Sequence, residues 1–370
     1  MVWPWGGNVK IAFITSCLEP GKDGVGDYTT LLAAECARRG HTTCLIALND
    51  PYVDRGAAKA TPLRLSPKSP WEERVRNAGD FLRAFAPDFV SLQFVCYGFH
   101  PRGTDWALAS RLRAIIGAVP VHIMFHELWI GAGNGARLKD RLTGVIQRAC
   151  LLRVVKTLDT RVVHANTAAY AALLRARGIT ASTLPLFGSI PMPSRGMKAR
   201  ARGDTLVFGM FGTLHPIWPP EPLFSMLRTL EKKIGIVHIG RMGAPGEALW
   251  ERLTKDYAGA VEFRRVGEQP PEKIAEIFCK EIDFGIATTP WMLIGKSAAV
   301  AAMLEHGLPV IVNRDDWKID AAMGSGVGSP LLIKMDNDLP QRLNAVRREE
   351  PASLLPGVAT RFLGDLELAL

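Results

Sequence analysis

Short apolar runs and longer amphipathic stretches alternate along this chain. Residues 9–16 and 88–96 have the length and composition of buried strands, whereas residues 27–39 repeat their apolar positions at helical spacing. The order strand, helix, strand recurs on both sides of residues 185–203, a segment rich in Pro, Gly, Arg and Lys that breaks every period. This order predicts an α/β protein with two parallel sheets, each covered by helices on both faces.

The length of 370 residues agrees with two domains, at roughly 150 residues per domain. We expect an N-terminal domain at residues 1–190 and a C-terminal domain at residues 204–350. Residues 351–370 form a further helical segment that we expect to pack back on the N-terminal domain.

Charge is unevenly distributed between the two halves. Residues 1–190 hold 23 Lys and Arg against 14 Asp and Glu, whereas the remaining residues hold 22 of each. The basic half predicts an anionic partner, either a membrane surface or a phosphate-bearing acceptor; no nucleic-acid motif accompanies the charge, so we expect no nucleic acid. On the predicted helix at residues 137–156, Leu138, Leu142, Ile146 and Ala149 share one face. That face is interpreted as a core stripe beneath a solvated basic face, with peripheral membrane contact as the alternative.

Nothing in the sequence predicts a membrane span or a metal centre. Mean hydropathy is +0.08 with no run of 18 apolar residues, and the first residues lack the pattern of a secretory signal. The six cysteines are scattered without zinc-ligand spacing, so we expect reduced core residues and no metal. These features favour a cytoplasmic protein.

Residues 282–312 form the most informative stretch: a strand, a loop, a small-residue helix and a second strand. The loop lies after a strand and before a helix, where backbone N–H groups favour an anion. Its residues Gly295, Lys296 and Ser297 have three interpretations. They resemble the end of a P-loop, although Pro290 replaces its first glycine; they are a surface lysine and a helix-capping serine; or they bind a sugar diphosphate.

A second candidate turn follows the first predicted strand. Gly24, Val25 and Gly26 precede a helix for which Asp27 is a plausible N-cap. A nicotinamide dinucleotide fingerprint is the alternative, but Thr29 occupies the position of its third glycine and seven residues separate the strand from Gly24. Further along, His126 and Glu127 follow another strand, at the edge where ligands bind, and are the catalytic candidates.

In their order along nearly the whole chain, these features resemble the GT-B glycosyltransferases, and within them the retaining family 4, or group 1, enzymes. The resemblance implies two Rossmann-like domains with an interdomain cleft, a nucleoside diphosphate sugar as donor, and neither cofactor nor bound metal. It implies that His126 lies near the transferred sugar. The residues that it assigns to the donor are Gly24, Val25, Gly26, Gly212, Thr213, Val266, Glu268, Lys296 and Ser297.

The chain departs from this family at four charged positions. Thr213 and Trp218 stand where the family carries the Arg and Lys that neutralise the diphosphate, and Ile294 and Ala302 stand where it carries two glutamates. Cations and helix N-terminal amides aimed at a departing diphosphate lower the barrier to transfer. Lys296, assisted by Arg241 and the helix beginning at Ser297, is therefore expected to take over this role. Glu305 is expected either to reach a ribose or to be solvated in the last helical turn.

The resemblance thus implies a retaining hexosyltransferase that moves a sugar from a nucleotide donor to a glycan, lipid-linked or cell-envelope acceptor, as in polysaccharide biosynthesis. We expect a cytoplasmic protein that contacts the inner face of the membrane through its basic half. Two alternatives remain: a nucleotide-sugar epimerase or hydrolase of the same fold, and a degenerate member that binds a glycan without turnover.

Overall fold

The computed structural model describes residues 7–54, 62–194, 197, 200–319 and 328–369. The chain divides into two compact units. The first contains the described residues up to Pro185, Ile319 and the residues from Leu355 onward, and the second contains Leu186–Lys318 and the described residues up to Leu354.

Among its described residues, the first unit contains one sheet of seven parallel strands, in the order β3-β2-β1-β4-β5-β6-β7. The order reverses direction between β1 and β4, as in a doubly wound sheet. The strands are β1 Lys10–Thr15, β2 Thr42–Ala47, β3 Leu63–Arg64, β4 Phe89–Phe94, β5 Val121–Phe125, β6 Thr160–Ala165 and β7 Ser182–Thr183. The helices are α1 Gly24–Arg38, α2 Trp71–Phe85, α3 Cys96–Phe99, α4 Leu108–Ile116, α5 Leu138–Thr157 and α6 Ala168–Arg175.

The second unit repeats this plan with six described strands in the order β10-β9-β8-β11-β12-β13. The strands are β8 Thr205–Phe211, β9 Lys233–Ile239, β10 Glu262–Gly267, β11 Phe284–Ala287, β12 Val310–Val312 and β13 Leu332–Lys334. The helices are α7 Glu221–Leu227, α8 Ala244–Asp256, α9 Pro271–Lys280, a 3₁₀ helix Trp291–Lys296, α10 Ala298–Glu305 and α11 Leu339–Ala345. The predicted pair of doubly wound parallel sheets is therefore confirmed.

The last helix, α12 (Leu355–Glu367), packs against α1 in the first unit. Its buried face includes Phe362, whose ring lies 5.8 Å from that of Phe13 on β1. Arg39 donates one hydrogen bond to the Thr360 hydroxyl at 2.7 Å and another to the Pro356 carbonyl. The final segment of the chain is thus part of the first unit's core.

The predicted core face of α5 is wrong. Leu138, Leu142 and Ile146 are exposed, and the helix instead buries a face that includes Gly144 and Gln147. At Gly144 a Cβ would lie 2.0 Å from the Ile130 carbonyl oxygen, so only glycine permits this approach. Hydrophobic periodicity missed the start of the buried face because its first two residues are a glycine and an amide.

That buried amide has fixed partners. Gln147 accepts a hydrogen bond from the Ile130 backbone at 2.9 Å and donates to the Tyr97 hydroxyl and the Arg102 carbonyl, both at 2.8 Å. A buried polar group costs little free energy when it is bonded in this way. Gln147 therefore anchors α5 by hydrogen bonds, and the apolar stripe is left on the surface.

Candidate functional site

A cavity of about 260 Å³ lies at the carboxyl edge of the second sheet. It forms between the ends of β8 and β11, where the strand order reverses and the loops leave toward opposite faces. The residues that line it come from these two strand ends and from the start of α10: Phe211, Thr213, Leu214, Ile286, Ala287, Thr288, Thr289, Lys296, Ser297, Ala299, Val300 and Met303.

Gly212 shapes the turn on the β8 side of the cavity. Its φ of 74° lies in the left-handed region that favours glycine. Its N–H donates to the Ile239 carbonyl at 2.9 Å, and its own carbonyl accepts from His238 Nε2 at 2.8 Å. With its backbone bonded on both sides, Gly212 places the exposed Thr213 at the cavity.

On the other side, the predicted phosphate loop is a 3₁₀ helix that ends at Lys296, followed directly by α10. The Ser297 hydroxyl caps α10 by accepting from the Val300 N–H at 3.3 Å. The remaining N-terminal amides of α10 and the half-buried Lys296 border the same cavity. Lys296 is thus part of a concave site and not a fully solvated lysine.

Two further side chains, His215 and Arg314, were not selected from the sequence and lie near Lys296. Burial lowers the pKa of His215, and the charges of Arg314 and Lys296 lower it further. Arg314 is buried, pairs with Asp316 at 2.7 Å and donates to the Thr288 carbonyl at 3.3 Å. Both residues follow a strand of the second sheet, the same signal that identified His126.

In the first unit, the predicted glycine turn is the first turn of α1. Asp23 and not Asp27 caps this helix, because the Asp23 carboxylate accepts from the Gly26 N–H at 2.7 Å. Asp27 accepts instead from the Gly21 N–H at 3.0 Å. A Cβ at Gly26 would lie 2.5 Å from the Cys17 carbonyl oxygen, whereas Gly24 and Val25 are not fully buried. Gly26 therefore lets α1 pack closely against the loop after β1.

His126 lies directly after β5 and is buried. Its Nε2 lies 2.9 Å from Gln93 Oε1, its carbonyl accepts from Asn166 at 2.8 Å, and the Tyr28 ring meets it edge-on at 5.0 Å. Burial lowers the pKa of His126 to about 3, so the imidazole is neutral. Glu127, the neighbouring candidate, is half-buried.

No protein-family model matches the chain, and no curated protein matches it significantly. Solved structures do match it over nearly its whole length. The apo form of the lipopolysaccharide outer core galactosyltransferase WaaB has 15% identity and a TM-score of 0.53, with 97% of this chain and 98% of that chain covered.

Two ligand-bound structures are similarly related. An alpha-glucosyltransferase in complex with UDP-glucose and DNA containing an abasic site has 12% identity and a TM-score of 0.54, with 98% of this chain and 93% of that chain covered. Anabaena HepE in complex with UDP-glucose has 15% identity and a TM-score of 0.51, with 98% and 92% covered. This chain has the GT-B fold. At these identities the likeness establishes the fold alone.

Three positions where the resembled family is charged lie in the core of this GT-B chain. Trp218, Ile294 and Ala302 are each only 1% exposed. The Trp218 indole also donates to Asn313 Oδ1 at 2.5 Å. A charge at any of the three would be buried without a partner, which is strongly unfavourable. Of the three, only Trp218 stands where the resembled family has a cation, and its indole supplies no positive charge there.

The other predicted donor residues follow neighbouring strands of the same sheet. Arg241 is exposed after β9, Val266 is half-buried at the end of β10, and Glu268 is exposed after it. None of the three belongs to the residues that line the cavity among those the structure describes. Their roles in donor binding stay predictions.

Glu305, at the end of α10, is 3% exposed, so the solvated alternative is wrong. One carboxylate oxygen accepts from the Gly188 N–H at 2.7 Å and the other from the Leu354 N–H at 2.6 Å. Gly188 lies near the residue where the second unit begins, Leu186, and Leu354 is the residue where it ends. A ribose contact stays a prediction that would require these bonds to be exchanged.

No group of three or more His, Cys, Asp or Glu side chains capable of holding a metal occurs within the described part of the chain. Within the same residues, no helix is long and apolar enough to cross a membrane.

The Glu305 contacts predict a defined loss of stability. Glu305→Ala leaves the Gly188 and Leu354 N–H groups without their acceptor, and we expect the free energy of unfolding to fall by roughly 1 to 3 kcal/mol. Urea denaturation measures this loss. Glu305→Gln retains one acceptor oxygen and should lose less, so equal losses in the two variants would contradict the assignment.

The same carboxylate predicts a pH dependence. Burial raises the pKa of Glu305 from its usual 4.5 to about 7, so between these values the folded state binds more protons than the unfolded state. The free energy of unfolding should therefore fall as the pH rises from about 4.5 to about 7, by at most ~1.4 kcal/mol per pH unit. Glu305→Gln lacks the titrating group, so its urea midpoints should not show this component. Parallel pH profiles for the two proteins would exclude it.

Proposed function

We propose that this protein is a glycosyltransferase that transfers a sugar from a nucleoside diphosphate donor to an acceptor, and that the donor diphosphate binds in the cavity of the second unit. The observation that carries the proposal is the position of Lys296 and the capped start of α10 on one cavity, where the strand order reverses. Structures of the same fold that hold UDP or UDP-glucose support a uridine donor.

The proposed chemistry follows from charge development. As the glycosidic bond breaks, negative charge grows on the departing diphosphate, and preorganised donors that face it stabilise the transition state. Lys296 supplies a positive charge and α10 supplies backbone N–H groups. Arg314 adds to the positive potential, although Asp316 neutralises part of it. By the sequence resemblance, the transferred group is a hexosyl group and its anomeric configuration is retained.

We further propose that His126 contacts hydroxyl groups of the reacting sugar or acceptor. A neutral imidazole accepts a hydrogen bond through its unprotonated nitrogen, and the low pKa keeps His126 neutral at physiological pH. The Asn166 Oδ1 atom, next to His126, is buried and has no hydrogen-bond partner among the described residues. A bound hydroxyl would satisfy it.

The acceptor is proposed to be lipid-linked and presented at an anionic membrane. On α5, Leu138, Leu142, Val145 and Ile146 are 74%, 62%, 51% and 52% exposed, and we call this apolar strip the α5 surface. Exposed basic residues flank it: Arg137, Lys139 and Arg141. Exposed apolar side chains beside basic ones are the pattern of a helix that lies in the interface of an anionic bilayer.

The donor site is tested by nucleotide binding. Wild-type protein should be stabilised against heat by one nucleoside diphosphate from a panel of UDP, GDP, ADP and TDP. Lys296→Ala should weaken that binding by about tenfold or more, because a charge-assisted hydrogen bond is lost. Calorimetric titration of both proteins measures the difference.

Lys255→Ala is the matched control for Lys296→Ala. Lys255 is an exposed lysine near the end of α8, which runs antiparallel to the strands, so it lies at the opposite edge of the sheet. The Lys255→Ala protein should bind the nucleoside diphosphate with the affinity of the wild type. Unchanged affinity in Lys296→Ala would remove Lys296 from the site, and nucleotide release from a nucleotide sugar without any acceptor would favour the hydrolase alternative.

His126 is tested by separating transfer from donor binding. His126→Ala should lower kcat by about 100-fold or more and change nucleoside diphosphate affinity less than twofold, since the diphosphate site lies in the other unit. His41→Ala, which removes another buried histidine of the first unit, controls for nonspecific loss of stability. Parallel losses of transfer and binding would make His126 a structural residue.

The α5 surface is tested by cosedimentation with vesicles containing about one third phosphatidylserine. Leu142→Asp should weaken binding by about tenfold or more, because it removes apolar contact area and adds a repelled charge. Tyr52→Asp makes the same charge change at another exposed apolar residue of the first unit and should bind like the wild type. Equal binding of wild type to neutral vesicles would overturn the proposed preference for anionic lipid.

A further inference from the structure

A continuous hydrogen-bonded chain of side chains runs through the interior of the first unit. It starts at His126, after β5, and ends on α12, crossing β4, β5 and β6 on the way. Its links measure 2.9, 2.8, 2.8, 3.0 and 2.8 Å. The six members, in order, are His126, Gln93, Ser91, His122, His164 and Asp365.

The chemistry of the last member fixes the direction of every link. The Asp365 carboxylate lies beside the Arg361 guanidinium, at 3.8 Å, and about a third of its side chain is exposed. An ionised carboxylate only accepts hydrogen bonds, so His164 must donate to it through Nε2–H. His164 Nδ1 then has no proton if the ring is neutral, and it must accept from His122.

Burial keeps both of these histidines neutral. It lowers the pKa of His164 despite the nearby Asp365 carboxylate, and it lowers the pKa of His122 well below the usual value. His122 therefore donates through Nε2–H to His164 and accepts through Nδ1. The acceptor role of His122 Nδ1 requires the Ser91 hydroxyl to donate to it.

The same reasoning reaches the candidate catalytic residue. The Ser91 oxygen accepts from the Gln93 amide nitrogen, which turns Gln93 Oε1 toward His126. Gln93 Oε1 can only accept, so His126 must carry its proton on Nε2 and leave Nδ1 unprotonated.

We propose that Asp365, on the last helix of the chain, sets the tautomer of His126 through this hydrogen-bonded relay, so that Nδ1 accepts a hydrogen bond from a substrate hydroxyl. The inference rests on the proposed role of His126 in transfer. Asp365, His164, His122, Ser91 and Gln93 are positioning residues: they touch no substrate and act through His126.

The position of the relay shows why it needs a fixed end. The ring of Phe362 on α12 packs on His122 at 5.1 Å, so this part of the relay has an apolar neighbour. In such surroundings each missing hydrogen bond costs free energy. If all members stay bonded, only two arrangements exist, one the complete reverse of the other. In the reverse arrangement His126 carries its proton on Nδ1 and His164 Nε2 is an acceptor. An ionised Asp365 cannot donate to His164, so this arrangement requires a donor in place of Asp365, or no partner there.

The test is the tautomer of each histidine in the full chain, read from ¹⁵N chemical shifts of histidine-labelled protein and assigned with single histidine substitutions. In the wild type, we expect His126, His122 and His164 all to carry the proton on Nε2. Asp365→Ala removes the fixed end, so all three should populate the other tautomer together. Ser91→Ala cuts the relay in the middle, so His126 alone should change while His122 and His164 keep their state.

Arg39→Ala is the control for a purely structural effect of the helix. It removes two other hydrogen bonds to α12 and leaves the relay untouched. Unchanged His126 shifts in Asp365→Ala and Ser91→Ala would overturn the proposal. A change of His126 in Arg39→Ala equal to that in Asp365→Ala would also overturn it, because helix docking alone would then explain the effect.

Activity provides the second measurement. kcat should fall in proportion to the fraction of His126 that leaves the Nε2–H tautomer, so an even mixture gives about a twofold loss, with nucleoside diphosphate affinity unchanged. A tautomer shift without any loss of kcat would leave the relay established and contradict its link to substrate. If no transfer activity exists, the proposed function fails, while the ¹⁵N shifts still decide whether Asp365 controls His126.

Discussion

The parallel pairing of β8 with β11 is the constraint on which the proposed donor site depends. These two strands are neighbours in the sheet but belong to its two oppositely wound halves, so the connections that follow them leave toward opposite faces. The space between those connections is the cavity. A parallel sheet also gathers helix N-termini at this edge, which brings Lys296 and the first amides of α10 to the same place.

Electrostatics at this site differs from that of the family the sequence resembles. Three of the four positions where that family is charged hold apolar core side chains, with Trp218 as the largest, and the fourth holds the exposed Thr213. The positive groups that we propose as replacements are Lys296, on the cavity wall, and Arg314. A diphosphate needs positive potential in a concave site. Different sequence positions can supply that charge, provided that they follow strands that end beside the same site.

Two buried polar connections join parts of the chain that are distant in sequence. Glu305 accepts hydrogen bonds from the backbone near the first and last residues of the second unit, at Gly188 and Leu354. The relay joins His126 to Asp365 on α12. In each, a single carboxylate accepts hydrogen bonds from donors that are distant in sequence, which fixes where those parts of the chain meet. The last helix thereby contributes both packing and hydrogen-bond direction to the first unit.

The sequence by itself determined the two parallel sheets, the helix that begins after Ser297, and the strand ends that carry His126, Gly212 and Lys296. These features follow from apolar periodicity and from local capping chemistry, which neighbouring residues largely decide. Tertiary structure alone decided the buried face of α5, the burial of Glu305 and the partners of His126. Each of these depends on contacts between residues far apart in the chain: Gly144 faces a distant carbonyl, and Asp365 lies 201 positions from His164. A periodic pattern indicates which residues are apolar. Only the packed structure shows which helix face packs closely through a glycine and which donor binds a given carboxylate.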